Sequence, residues 1–379
     1  MTKKPANLIE KDELIRKGIM AQDKAFTGPY GLQIGITDYC NYACVFCGAF
    51  SYRRDNVERE EKKFVKLDYA RFRELVMDAA RMKVNQMSIV GVGEPFLHPD
   101  IMRFIGLVKE NDIRCMVTTN AAALTRRKVD ELIDNRLDII NISLNAATPE
   151  TYATMHGEKF GGRFQPVLDA AAYITERKKA LGAEKPHLAL RFVITKLNSG
   201  ELAGFVDKAI ELGANELFFQ NYLPPAFAMD IALGQEEKKK LAGALSHLKE
   251  KAARHNIKSN LEFIAAKYAD GDLSNVGLSG ADDLSIDDFH NRHSCYVGWT
   301  YVMILAGGEV MPCCYCVKPL GNINETSFRE IWFGATYNSF RQRAIDLPKS
   351  KETIISCRCF DGCGSVPENL NVIRRFGLA

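Results

Sequence analysis

The stretch Leu32-Gln33-Ile34-Gly35-Ile36-Thr37 runs, after two residues, into Cys40-Asn41-Tyr42-Ala43-Cys44-Val45-Phe46-Cys47. The apolar run predicts a first β-strand, and three cysteines follow directly after its end. Five more such runs lie downstream: Gln86–Val90, Ile113–Thr118, Asp138–Leu144, Leu188–Ile194 and Glu216–Phe219. They are mostly apolar rather than alternating, the pattern of parallel strands covered on both faces. Helical periodicity separates them at Tyr69–Met82, Thr125–Asn135 (Thr125 as N-cap), Gln165–Leu181 and Gly200–Leu212. Strand–helix repetition of this kind gives an α/β fold with a parallel barrel or open sheet. Ligands bind there at the C-terminal ends of the strands, where the three cysteines stand.

The spacing is C-x3-C-x2-C. Three thiolates on one loop can hold three corners of a cubane 4Fe–4S cluster and leave one iron open to a cosubstrate. A structural zinc site wants a fourth ligand, and the next histidine along the chain is His98. A redox dithiol would use Cys44 and Cys47 and leave Cys40 unexplained. The cluster reading is favoured; zinc and dithiol stand as alternatives.

With Phe46 before its last cysteine, this segment resembles the signature of the radical S-adenosylmethionine (radical SAM) superfamily. The resemblance implies a partial (β/α)6 TIM-like barrel. The open iron would chelate SAM, and a 5′-deoxyadenosyl radical would abstract hydrogen from an unactivated carbon. It implies Phe46 beside the adenine. Gly91-Val92-Gly93-Glu94-Pro95, after the second strand, is similar to the family's Gly-Gly-Glu-Pro motif, with Val92 in place of one glycine. Two glycines let a backbone pass close to a ligand, and Glu94 would accept from the SAM amino group. Asn120, Ser143, Asn145 and Arg191 match places that serve the SAM carboxylate and ribose, although many relatives carry Asp where Asn145 stands. A charged Arg191 in a buried strand also demands a partner, for which a carboxylate is suited.

Seven of the eleven cysteines crowd the last part of the chain: Cys295, Cys313, Cys314, Cys316, Cys357, Cys359 and Cys363. Tyr301–Leu305, Gly307-Gly308 and a second strand leading to Cys313 predict a β-hairpin. Together with Pro319–Ile323 and Glu330-Ile331-Trp332, this region resembles the SPASM/twitch extension of radical SAM enzymes, which holds auxiliary 4Fe–4S clusters. The tail reads C-x-C-x3-C and departs from the usual two-cluster pattern. Seven cysteines exceed the four for one closed cluster and fall one short of two. One auxiliary cluster on Cys295, Cys313, Cys363 and either Cys357 or Cys359 is favoured over a second incomplete one on Cys314 or Cys316, or over zinc. His290 and His293 could each be a cluster ligand, but the reading as solvated loop residues is favoured; Cys115 reads as a buried apolar residue. The parts expected are an N-terminal extension (1–29), the radical SAM core (30–225), a helical linker (226–289) and the auxiliary-cluster domain (290–379).

Fifty basic against 47 acidic residues leave a net charge of +3, which argues against an electrostatic nucleic-acid binder. No signal peptide and no long apolar span is evident, so a cytoplasmic protein is expected. In a reducing compartment clustered cysteines read as metal ligands rather than disulfides. By resemblance the reductant is flavodoxin or ferredoxin. Cys314, Tyr315 and Cys316 are candidate hydrogen donors for an epimerisation; an auxiliary cluster that accepts an electron would give oxidation instead. Only 39 residues precede Cys40, too few for a fused leader-recognition domain. The substrate expected is therefore a small molecule of sugar or aminocyclitol type, rather than a ribosomal peptide. A non-catalytic iron–sulfur electron carrier is the reading of another class, and it leaves Glu94, Arg191 and the barrel without purpose.

Overall fold

The computed structural model describes residues 6–48, 64–222, 226–269 and 289–378, apart from 317, 353, 355, 356, 358, 361 and 362. After helix α1 (Ala6–Ala21), strands and helices alternate. They are β1 (Gly31–Ile34), α2 (Tyr69–Arg81), β2 (Gln86–Ile89), α3 (Ile101–Glu110), β3 (Arg114–Thr119), α4 (Arg126–Asp134), β4 (Ile139–Ser143), α5 (Pro149–His156), α6 (Phe164–Leu181), β5 (His187–Ile194), α7 (Leu202–Glu211) and β6 (Glu216–Asn221). Then come α8 (Gln235–Arg254), β7 (Lys258–Ser259), α9 (Leu261–Ala269), β8 (Tyr301–Ile304), β9 (Glu309–Met311), β10 (Gly321–Asn322), α10 (Phe328–Phe333), α11 (Ala335–Ser350) and α12 (Val366–Phe376). The order in the one sheet is β10-β9-β8-β1-β2-β3-β4-β5-β6-β7, with β8 through β7 parallel. This is the partial barrel expected. Of the linker expected over 226–289, residues 270–288 lie outside the described residues.

The capping chemistry matches the sequence. Thr125 Oγ1 accepts from Lys128 N, and Asp68 caps α2 in the same way through Ala70 N. The strands differ from the expectation of burial on both faces. Along β1 and β2 burial alternates with half-burial; β4 is buried almost throughout. Leu32, Ile34, Met87 and Ile89 pack under the helices. The opposite face carries Gln33, Ser88, Thr118, Asn141 and Arg191, a polar interior suited to a substrate rather than a packed core.

The predicted hairpin forms, with Met303 opposite Met311. It is not a separate sheet, because β8 continues the barrel by pairing with β1, Gly31 to Tyr301. The residues before β1 are equally committed. Ile15 and Ile19 of α1 pack with Trp299 and Val372, and Trp332 Nε1 donates to Thr27 O at 2.9 Å. No helix among the described residues is long and apolar enough to cross a membrane.

One buried carboxylate pins the start of β4. Asp138 takes Lys109 Nζ at 2.5 Å, Lys185 Nζ, and the Cys115 amide at 2.8 Å. Burial pushes its carboxyl up, but the two lysines and the amide outweigh that and hold it below the ordinary value. A depressed carboxyl contributes stability that is present above its unfolded pKa of about 4 and is lost as pH falls through the lower folded value. Asp138→Asn should therefore cost about 3 kcal/mol at neutral pH and flatten the acid limb of the unfolding profile, read from urea midpoints.

Candidate cluster and cofactor site

The cysteine loop leaves the end of β1 and is clamped from two sides. On one side lies the loop after β2. Gly91 crosses Gly35 so closely that a Cβ would come within 2.7 Å of the Gly35 Cα. At Gly93 a Cβ would stand 2.5 Å from the carbonyl oxygens of Thr37 and Tyr39, and Glu94 N donates to Tyr39 O at 2.8 Å. The two glycines thus admit a neighbouring backbone. Gly93→Ala should displace the cysteine loop and lower the iron retained there by more than half, with the C-terminal iron unchanged, measured by iron analysis of purified variants.

Glu94 is 2% exposed. Its Oε1 accepts from Thr119 Oγ1 at 2.6 Å and from Phe96 N at 3.0 Å, and its Oε2 from Asn120 N at 2.7 Å. Burial pushes the carboxyl up against these three donors. One acceptor position on Oε2 is left over, which fits the expected contact with an amino group. Asn120 carries the link onward: its Nδ2 donates to Asn41 Oδ1 at 2.9 Å and lies 3.9 Å from Cys40 Sγ. Burial also pushes the Cys40 thiol up to about 11.

Ser143 and Arg191 are register partners on β4 and β5. The Arg191 guanidinium lies over the Phe218 ring at 4.5 Å and donates from Nη2 to Asn141 Oδ1 at 2.9 Å, so its bonded partner within the chain is an amide. Asn141 in turn reaches Thr118 Oγ1 at 3.3 Å. Asn145 holds φ at +57° and accepts from Val193 N at 2.8 Å. Asn145 Nδ2 and Arg191 Nε are buried donors without partners. Two such donors, one on β5 and one just after the neighbouring β4, fit a ligand rich in oxygen acceptors.

On the other side the cysteine loop rests on α5, which the sequence reading did not identify. Val45 N donates to Met155 O at 3.0 Å and Ala43 N to His156 O at 3.4 Å. His156 Nδ1 lies 3.0 Å from Cys44 Sγ, and Phe46 meets the His156 ring edge-on at 5.9 Å. Tyr42 and Tyr152 join hydroxyls at 2.8 Å behind it. The sequence argument that no histidine lies near the cysteines holds only along the chain; β4 and α5 return His156 to them. Among the described residues no three His, Cys, Asp or Glu side chains converge on a single-ion site. Three thiolates on one loop are the donor set that holds three irons of a cubane and leaves the fourth open.

The C-terminal cysteines enclose a second cavity, lined by Cys295, Cys313, Cys316, Cys357, Cys359 and Cys363 together with His290 and Tyr315. Burial pushes the Cys363 thiol up to about 12, whereas the contact with Cys314 brings Cys313 down to about 7. Cys316 and Cys357 are joined in a disulfide, although clustered cysteines had been read as ligands. Cys295, Cys313, Cys359 and Cys363 remain free around the cavity, the number one closed cluster takes. Of the candidate hydrogen donors, Cys314 is exposed, Cys316 is bonded, and the Tyr315 hydroxyl fills the space beside Gly364. His290 is 1% exposed and its Nε2 has no partner, so it is not the solvated loop residue expected.

A family model of the radical SAM superfamily matches residues 34–183, and a model of the SPASM iron–sulfur cluster-binding domain matches 295–363. The chain belongs to the radical SAM superfamily. As a radical SAM enzyme with a SPASM domain, it uses SAM, a three-cysteine 4Fe–4S cluster that binds SAM, and at least one auxiliary 4Fe–4S cluster. A PqqA peptide cyclase of Methylocella silvestris is 24% identical over 346 residues, 87% of this chain and 83% of its own. A Pyrococcus furiosus protein described as modifying the cofactor of tungsten-containing aldehyde ferredoxin oxidoreductase is 24% identical over 318 residues, 82% of each chain. Among solved structures, Streptococcus suis SuiB bound to SAM superposes with a TM-score of 0.66 at 19% identity, over 96% of this chain and 79% of SuiB. SuiB bound to its precursor peptide SuiA superposes at 0.60 and 17%, over 96% and 82%.

These relatives overturn the preference for a sugar- or aminocyclitol-like small molecule over a peptide. That preference rested on the few residues before Cys40. Of those residues Ala6–Ala21 form α1, whose Ile15 and Ile19 pack with Trp299, so their number carries no information about substrate.

Proposed function

We propose that this radical SAM enzyme modifies a peptide. The observation that carries the reading is that relatives matching more than four fifths of the chain include enzymes named for cyclising a peptide. The likeness to a fold solved with a precursor peptide agrees with it.

We assign Cys40, Cys44 and Cys47 to the SAM-binding cluster, and Cys295, Cys313, Cys359 and Cys363 to the auxiliary one. Bound together, the first cluster and SAM supply the one-electron chemistry that removes a hydrogen atom from an unactivated carbon. The chain's own residues bind and orient. Glu94, held by Thr119, Phe96 and Asn120, presents its remaining acceptor position to the SAM amino group. Arg191, held by Asn141, and Asn145 present donors to oxygen acceptors of SAM. The half-buried polar face of β1 to β5 receives the part of the peptide to be changed. We read residues 30–225 as the barrel that does this, 290–379 as the auxiliary unit, and 226–289 as their connection.

The test is SAM cleavage by the reconstituted, reduced protein with a fraction below about 10 kDa from its source cells. The reading expects 5′-deoxyadenosine formation to rise with the fraction, and the rise to vanish when the fraction is first digested with proteinase K. A stimulation that survives digestion would return the substrate to the small-molecule class.

A further inference from the structure

One row of side chains crosses the interior face of the barrel. Met303, Gln33, Ser88 and Met116 are register neighbours on β8, β1, β2 and β3. Each is half-buried, while the residues on either side of it along its strand are buried under the helices. Successive side chains point to opposite faces, so the row borders open space within the barrel. It carries no charge: an amide and a hydroxyl stand between two thioethers. Tyr301, two residues before Met303 on the same face of β8, donates its hydroxyl to Gln33 Oε1 at 2.7 Å. Among the described residues the phenol has no other acceptor, so its proton fixes which way the amide is turned. That leaves the Gln33 Nε2 group, with two N–H donors, without a partner among the described residues and on the interior side. The neighbouring Ser88 hydroxyl reaches only the weak acceptor Met116 Sδ, at 3.7 Å.

We propose that Gln33, oriented by Tyr301, is a specificity-determining residue that donates to an uncharged oxygen acceptor on the peptide residue to be changed. The inference rests on the reading that the substrate is a peptide. The apolar part of that residue lies between Met116 and Met303, whose flexible thioethers fit surfaces of varied shape. An ionised carboxylate is not the acceptor. The row offers it no cation, Arg191 is committed to SAM, and burying an unpaired charge costs more than one amide hydrogen bond returns. The residue that enters is therefore neutral, with a carbonyl, amide or hydroxyl oxygen at the depth of Gln33.

The experiment titrates reconstituted wild type, Gln33→Leu and Gln33→Glu with the same small-peptide cell fraction and reads 5′-deoxyadenosine. Leu removes the donor at similar volume. Glu keeps the shape and the acceptor for Tyr301 but turns an oxygen towards the substrate. The change that SAM makes in the electron paramagnetic resonance of the first cluster checks that each variant keeps its site. The expected result is a half-saturating amount of fraction about tenfold higher in both variants, with the response to SAM retained. Tyr301→Phe, which leaves the amide in place but free to turn, should give a smaller rise in the same direction. If the Leu variant loses its response to SAM, the Glu variant decides. A variant that answers to SAM as wild type does and also half-saturates at the wild-type amount overturns the proposal. A wild type whose stimulation survives proteinase K, or that shows none, sinks the peptide reading itself, and that outcome is read before any variant is made.

Discussion

Replacing Cys40, Cys44 and Cys47 together by alanine will lower iron from about eight to about four per chain in anaerobically reconstituted protein, and 5′-deoxyadenosine formation will disappear. Among the described residues no other cysteine lines the loop, and His156 is engaged with Leu144 O as well as Cys44, so no substitute ligand set stands there. The fold should persist. The loop's amides go to α5 and its carbonyl at Tyr39 takes Glu94 N, contacts that do not need the sulfurs. Iron and labile sulfide analysis, with circular dichroism as the check on folding, reads the result. Zinc in place of iron in wild type would contradict it.

The second large effect concerns the auxiliary cavity and separates two cysteines that sequence could not. Cys313→Ser with Cys363→Ser should remove the other four or so irons and leave the first cluster in place. Cys357→Ser should leave the iron count near wild type, because Cys357 is bonded to Cys316, whereas Cys359→Ser should behave like the double variant. An unchanged count in Cys359→Ser with a loss in Cys357→Ser would reverse the assignment. A wild-type count near twelve would mean a second auxiliary cluster.

Much of this was legible in one dimension because the signals are local. Cysteines at fixed spacing after an apolar run, Thr125 before a helix, and Gly307-Gly308 between two short strands each declare themselves within a dozen residues. Gly93 was legible as a close approach, but not as an approach to the backbone of Thr37 and Tyr39, since that depends on β1 and β2 lying side by side. His156 was invisible for the same reason: it lies 112 positions along the chain from Cys44, and only the return of α5 after β4 brings the two together. The pairing of β8 with β1 needed the whole barrel to be traced, and β7, at two residues, is too short for any pattern. Substrate class was misread because the length before Cys40 was taken as a statement about recognition, when those residues serve packing.

The central claim is that the first cluster keeps one iron open for SAM. The direct measurement is electron paramagnetic resonance of the reduced protein before and after addition of SAM, in wild type and in Cys313→Ser with Cys363→Ser. The account predicts that SAM changes the spectrum of the first cluster in both proteins. A reduced, iron-loaded cluster whose spectrum is the same with and without SAM would contradict it.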